Sequence, residues 1–277
     1  MIRQFYLVLI LLFTCTKSFE QTTPVPPPPF DYARDFKKIL EQTQDRENPL
    51  YYQKLLIRFL DRDSTLSNLE VLSLMIGYTE DSHYKPFEDM EKEQEVFDLN
   101  EAGSYEESLG KAKTYLQTHP LSLRVLKEAS YCYYAQKKQD SADYYMDLVD
   151  KIMNAMIYSG NGKKPESPIF SLGLADGEYF IPNIGLKVLN RNTDWNKNNH
   201  FIEIIDASKS EEDHMNYFFV IQHAKDKIDD DKVNESTDKK AKKKEKEKKD
   251  KEKKDKDKNK KDKKTLPGWQ TDPPSGS

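Results

Sequence analysis

The sequence predicts an α+β fold: an N-terminal helical array with tetratricopeptide-like helix pairs, then a small antiparallel sheet, then a disordered Lys-rich C-terminal tail. Three observations carry that reading. Between Tyr51 and Val149 apolar residues recur at three- and four-residue intervals, the signature of helix faces buried on one side. After Ser159 they gather instead into short β-branched or aromatic runs bounded by polar residues, as strands do. From Ala224 charge takes over, and residues 238–264 hold one Ala, one Asn and otherwise Lys, Asp and Glu. Such a segment has no apolar surface with which to offset the entropy of ordering.

The chain has 277 residues, 36% hydrophobic and 33% charged, with a formal net charge of −4. An average soluble domain is about 45–50% apolar and about 25% charged. The excess charge is uneven. Residues 238–264 carry 17 Lys against eight Asp or Glu, a local charge of +9, which leaves −13 for the rest. These figures exclude a polytopic membrane protein, a disulfide scaffold and a fully disordered chain.

Arg3 precedes an apolar run from Phe5 to Phe13, followed by Thr14-Cys15-Thr16-Lys17-Ser18. Nine residues are too few to span a bilayer, which takes about 20, and they match the core of a secretory signal peptide. Residues 1–18 are therefore expected to be an export signal cut after Ser18. Alternatively, Leu12-Phe13-Thr14-Cys15 serves as a lipobox with Cys15 lipidated. Either route gives an exported protein, periplasmic, secreted or held as an outer-membrane lipoprotein, with no transmembrane span in the mature chain. Cys132 then stands alone, so no internal disulfide can form, and a buried inert thiol is expected. Residues 19–29, with Pro24 and Pro26 to Pro29, read as an extended spacer.

Helical patterning covers residues 30–158. Tyr51, Leu55, Phe59 and Tyr52, Leu56, Leu60 give one wide stripe. Thr65 is placed to cap a second helix carrying Leu66, Leu69, Leu72, Met75 and Ile76, which stops at Gly77. From Gly103 to Ile157 a tetratricopeptide register places Leu126, Ala129, Ser130 and Tyr133 on one helix and Ala142, Met146 and Val149 on the next. Ser108, Ala112 and Tyr115 lie 34 residues or so before. An ordinary antiparallel helix pair would show the same spacing. One and a half repeats cannot stand alone, so these helices must pack on something else.

Residues 159–223 form the β-rich part of the same domain. Ser159-Gly160-Asn161-Gly162 is a turn, and Ile169–Leu172, His200–Ile205 and Tyr217–Ile221 read as strands. Glu178–Leu189 stays open between helix and strand, with Pro182 and Gly185 against a long helix. Residues 224–277 are assigned to the charged tail.

Several of these stretches resemble a family of exported Bacteroidetes proteins known as a domain of unknown function, DUF4919. Pro49-Leu50-Tyr51-Tyr52 with Lys54-Leu55-Leu56 and Arg58-Phe59 is similar to its opening helix. Thr65-Leu66 through Gly77-Tyr78 is similar to its second helix, with Met75 and Ile76 where tyrosines are usual. Ile157-Tyr158-Ser159-Gly160-Asn161-Gly162-Lys163 with Glu178-Tyr179 is similar to its Ser-Gly-Asp-Gly turn and later Glu-Tyr pair, Asn161 replacing the acid. The resemblance spans Phe30 to Asp206 and implies a fold unit and export, with no activity attached.

No catalytic motif is present, and no enzyme, cofactor or metal is expected. The five histidines have no zinc spacing, and no nucleophile elbow occurs. Asp176-Gly177-Glu178-Tyr179 reads as a turn leading to a sheet edge. The leading expectation is a non-catalytic envelope protein that binds a protein or peptide through its helical surface between Tyr105 and Tyr145. Tandem tyrosines there, with Tyr133 and Tyr144 as candidates, let one ring of a pair pack inward and its neighbour face out. The alternative is a hydrolase or small-ligand site at the helix-to-sheet junction using Ser159, Asn161, Lys163 and Glu178. Successive glycines and Lys163 could hold an anion there, or the segment is simply a turn. A third reading gives the Lys-rich tail weak, salt-sensitive contact with anionic surfaces. It lacks the interleaved aromatics that nucleic-acid stacking would use, and no sequence-specific nucleic acid is expected.

Overall fold

The computed structural model describes residues 30–210 and 213–234. The expected signal peptide with Cys15, the proline spacer up to residue 29 and residues 235–277, which hold the Lys run, lie outside the described residues.

Seven helices come first: α1 (Tyr32–Gln44), α2 (Tyr52–Leu60), α3 (Asn68–Tyr78), α4 (Pro86–Glu101), α5 (Tyr105–Leu116), α6 (Leu123–Ala135) and α7 (Gln139–Ser159). They lead to β1 (Ile169–Phe170), α8 (Asp176–Asn183), β2 (Lys187–Trp195), β3 (Phe201–Ser208) and β4 (His214–Val220). A further helix, α9, runs over residues 222–234. The α+β class read from the sequence is the class of the molecule.

Helix α3 is the centre of the array. Its residues from Val71 to Tyr78 are all buried, because α1, α2 and α7 surround it. A helix apolar on every side belongs in such a position. Its cap is Ser67 and not Thr65. The Ser67 side chain and Glu70 form a reciprocal capping box, whereas Thr65 bonds Asp63 Oδ1 through both its N–H and its hydroxyl. Ser67→Ala should cost about 1 kcal/mol of stability, seen as a small drop in melting temperature with the fold intact. On α2 the inward face is Tyr52, Leu55 and Phe59.

Helices α4 to α7 pack in sequence as neighbours. Ala112 on α5, Ala129 on α6 and Ala142 on α7 are buried where the helices approach. The Ser130 hydroxyl crosses from α6 to donate to the Ala142 carbonyl at 2.8 Å. A small second core, Val96, Leu109, Ala112, Val125, Ala129 and Cys132, fills the α4–α5–α6 space. Cys132 is fully buried there. Burial pushes its thiol pKa up, so it behaves as the inert thiol expected from the sequence.

The sheet runs β1-β4-β3-β2. Its β2–β3 and β3–β4 pairs are antiparallel, but β1 pairs with β4 in parallel, Ile169 opposite Phe219 and Phe170 opposite Val220. The sheet is thus mixed, a correction to the antiparallel expectation. Three crossings of the chain after β1 bring β4 back beside it in the same direction. Glu178–Leu189 divides into α8, a break at Gly185 (φ +79°) and the start of β2. Strand β2 is largely exposed and polar because it is the sheet's outer edge, where no alternating apolar face is required.

Helical array and sheet share one core that joins Leu55, Phe59 and Met156 to Phe170, Phe180, Phe219 and Val220. The expected start of the charged tail at residue 224 is too early. His223 and Ala224 are buried on α9, and Phe36 and Phe170 stack on the His223 ring. No helix among the described residues is long and apolar enough to cross a membrane.

Candidate functional site

The four residues expected at the helix-to-sheet junction have separate tasks. Ser159 is buried. Its hydroxyl donates to the Met156 carbonyl at 2.6 Å and accepts the Phe170 N–H at 2.7 Å, tying the end of α7 to β1. Asn161 is exposed and its Oδ1 caps the Lys163 N–H at 2.9 Å. The Lys163 ammonium lies 3.8 Å from the centre of the Tyr217 ring and donates to its hydroxyl at 2.5 Å. Glu178, on α8, faces Arg191 at 3.5 Å. The turn's glycines also work within the fold. The Gly162 N–H donates to Ser167 O, and Gly162 O accepts from Phe218 N–H. These contacts make a helix-to-sheet turn, with no partner common to the four side chains.

Among the tyrosines, Tyr133 stacks on Tyr145 at 5.6 Å, and Tyr144 donates to the Leu60 carbonyl at 3.0 Å beneath Arg62. Both are half-buried. Cys132 turns inward on α6, and this sends Tyr131 and Tyr134 outward, 48% and 65% exposed. Tyr105 on α5 meets Tyr131 edge to face at 5.8 Å. The outward rings are therefore Tyr131 and Tyr134, with Tyr105 half-buried beside Tyr131, in place of Tyr133 and Tyr144.

A different set of polar side chains converges at the junction. Between α4, the α5–α6 connection and the segment leading into α8 lies a cavity of about 20 Å³, space for about one water molecule. Its mouth holds Asp89 and His119, 3.2 Å apart and each mostly buried. The His119 ring stacks on Tyr115 at 4.0 Å, and Asp89 also accepts the Lys85 N–H at 3.0 Å. Burial disfavours a charged His119, but Asp89 and the carbonyls of Tyr115 and His83 outweigh it and raise the imidazole pKa.

The floor holds Glu93 and Asp176, 8% and 4% exposed. Glu93 accepts from the Ser122 hydroxyl at 2.6 Å, and Asp176 accepts the Gly173 N–H at 2.7 Å. Burial, reinforced by the charge of Asp176, pushes Glu93 up to about 8. Burial takes Asp176 to about 6 against the pull of the Gly173 and Leu172 backbone. The rings of Tyr78, Tyr84 and Tyr115 complete the walls. The stretch expected to be a turn before a sheet edge is thus the first turn of α8, and it delivers a buried acid. Among the described residues no three His, Cys, Asp or Glu side chains come together as a metal site.

A second buried carboxyl lies behind α8. Glu203 on β3 is fully buried and ion-paired with Arg191, which also donates to the Leu174 carbonyl. Burial raises Glu203 to about 7 although Arg191 pulls the other way.

Sequence reasoning missed Asp89, Glu93 and His119, and it placed Asp176 in a turn. One signal was available. Pro86, Glu93, Val96 and Asn100, the buried residues of α4, follow the three-to-four spacing of a core face, so an acid and an amide occupy core positions.

These features describe an α+β domain in which helices and a small mixed sheet enclose one core and a buried polar cluster at their junction. A family model described as "Domain of unknown function (DUF4919)" matches residues 37–230, from within α1 to within α9, and the chain belongs to that family. No curated protein and no solved structure matches it.

Proposed function

We propose that this is an exported, non-catalytic envelope protein that binds another protein or peptide through its helical surface. The supporting observation is the outward row of Tyr131 and Tyr134 on α6 with Tyr105 beside it. Rigid aromatic side chains with polar tips are the commonest anchors of protein interfaces. Export rests on the basic, then apolar, N-terminus, and the Lys-rich segment adds weak salt-dependent contact with anionic surfaces. No cofactor enters this reading.

In-cell crosslinking tests it. The full chain and a truncation ending at Thr237 are each used as bait, with and without Tyr131→Ser and Tyr134→Ser. A discrete partner captured by both chains, and lost on the double substitution at unchanged melting temperature, is the expected result. Full capture by the double variant would overturn the surface, and turnover of a substrate by the purified protein would overturn the non-catalytic reading.

A further inference from the structure

Helix α4 leaves one face without a partner. Its buried residues, Pro86, Glu93, Val96 and Asn100, occupy one side. On the opposite side Glu88, Glu91, Glu95 and Asp98 recur at intervals of three and four residues, and all four are exposed. That spacing stacks side chains along one helix face, here a row of carboxylates about 15 Å long. Like charges so placed destabilise a helix. Glu95 meets Lys111 of α5 at 2.7 Å, whereas Glu88, Glu91 and Asp98 form no ion pair with any described residue. Acids suit the first turn of a helix, and the last turn favours cations. Yet α4 ends on Asp98 and Glu101 with no basic residue in its last turn. The carboxylates run along the helix and do not converge on a metal, so the shape they fit is an elongated polycation.

The chain itself carries one. Residues 30–234 hold 37 Asp or Glu against 25 Lys or Arg, a charge of −12, whereas residues 239–249 hold eight Lys, two Glu and Ala241. Position agrees with charge. Lys85, directly before α4, pairs with Asp231 of α9 at 2.9 Å. Asp231 and Lys232 share a groove of about 270 Å³ with Phe87 and Glu88. Asn234, the last described residue, therefore follows by three residues a contact with the start of the acidic row. Lys239 is five residues further on, a span of at most ~18 Å. A tether this short supplies a high effective concentration, which a free polycation would have to match in bulk.

We infer that residues 239–249 dock in cis along the outer face of α4, with their lysines opposite Glu88, Glu91 and Asp98. Phe87, 71% exposed in the groove where the row begins, offers apolar surface to the lysine stems. Single exposed ion pairs are weak, so the contact is collective and sensitive to salt. Lysines held there do not face outside anions, and α4 thereby sets how much of the segment's charge is available to an anionic surface. The contact goes beyond the aromatic surface of α6 and does not depend on it.

The test is photocrosslinking of the full chain carrying Ala241→p-benzoylphenylalanine, which leaves every lysine in place. The protein is irradiated at about 20 mM and about 500 mM sodium chloride, where screening lengths differ roughly fivefold, and adducts are mapped by peptide mass spectrometry. At low salt most adducts to the fold should fall within residues 86–101, and they should drop by roughly fivefold or more at high salt. Glu88→Gln, Glu91→Gln and Asp98→Asn combined, all exposed positions, should cause a similar drop at low salt without lowering the melting temperature. Adducts absent from α4 or spread over other acidic surfaces would overturn the inference, as would α4 adducts that survive both high salt and the triple substitution. A mixture of isotopically light and heavy chains identifies the donor. Adducts joining light to heavy chains would also overturn docking in cis, by giving the acidic row to a second copy.

Discussion

Gly160→Ala is expected to lower stability by about 3 kcal/mol or more, a loss of roughly 6–12 °C in melting temperature for a domain of this size. The cause is not the backbone angle. Gly160 has φ −178°, extended backbone open to any residue. The cause is what a methyl group would meet: the carbonyl oxygen of Pro168, well inside van der Waals contact, and its carbonyl carbon at 2.8 Å. These are backbone atoms of the strand entering the sheet, and no side-chain rotation relieves the clash. The turn's second glycine is required for a different reason, because Gly162 has φ +63°, where an L side chain is strained. Moving Pro168 would pull β1 from β4 and break the Ser159–Phe170 bond that ties α7 to the sheet. Gly110, on the open side of α5 with nothing near its Cβ position, is the control. Gly110→Ala should be neutral or stabilising by up to about 1 kcal/mol. Thermal melts of the two variants decide the matter, and a Gly160→Ala protein that melts with the wild type would refute the account.

That turn illustrates how local sequence can locate a feature and leave its reason open. Ser-Gly-Asn-Gly announced a change of direction between helix and sheet, as glycine and asparagine do. Its glycines suit an anion cradle as well as a tight backbone approach, and what separates the two is the position of Pro168 and Phe218. The helices read most directly were α2, α6 and α7, whose apolar and small residues recur at helical intervals, and α3, whose apolar run is buried on every side. Helix α4 went unread because Glu93 and Asn100 occupy core positions, so its apolar period is broken. Strand β2 went unread because an edge strand needs no apolar face, and α9 because only its first turn, at His223 and Ala224, is buried. The junction cluster depends on contacts across long sequence separations: Glu93 on α4 shares its cavity with Asp176, 83 residues later. In the sequence Glu93 is one acid among several on a charged helix. Its burial is a property of the neighbours that cover it.

Glu93→Gln should raise stability at pH 8.5 by on the order of 3 kcal/mol, or roughly 6–12 °C, with little change at pH 5. The sign follows from proton counts. Glu93 has a folded pKa of about 8 against an ordinary 4.5, so between those values the folded protein holds a proton that the unfolded chain has released. Stability therefore falls as pH rises through that window, and the loss is complete above about pH 8. Asp176, raised from 3.8 to about 6, and Glu203, raised from 4.5 to about 7, act in the same direction over lower windows. His119, raised above 6.5, adds stability that is present in acid and lost as pH climbs through its folded value. His223 opposes them. Burial lowers it from 6.5 to about 4, so the unfolded chain takes up the extra proton and stability grows from pH 4 to 6.5. Above that point nothing in this set offsets the buried acids, and the wild-type melting temperature should decline from pH 6.5 to 8.5. Glutamine preserves the shape and the acceptor for the Ser122 hydroxyl but never ionises, so the variant's profile should be flatter over that range. Melting curves of both proteins at pH 5, 6.5 and 8.5 measure this. A wild type that gains stability toward pH 8.5, or a variant less stable than the wild type at that pH, would mean that Glu93 is ionised in the fold and that its charge is compensated.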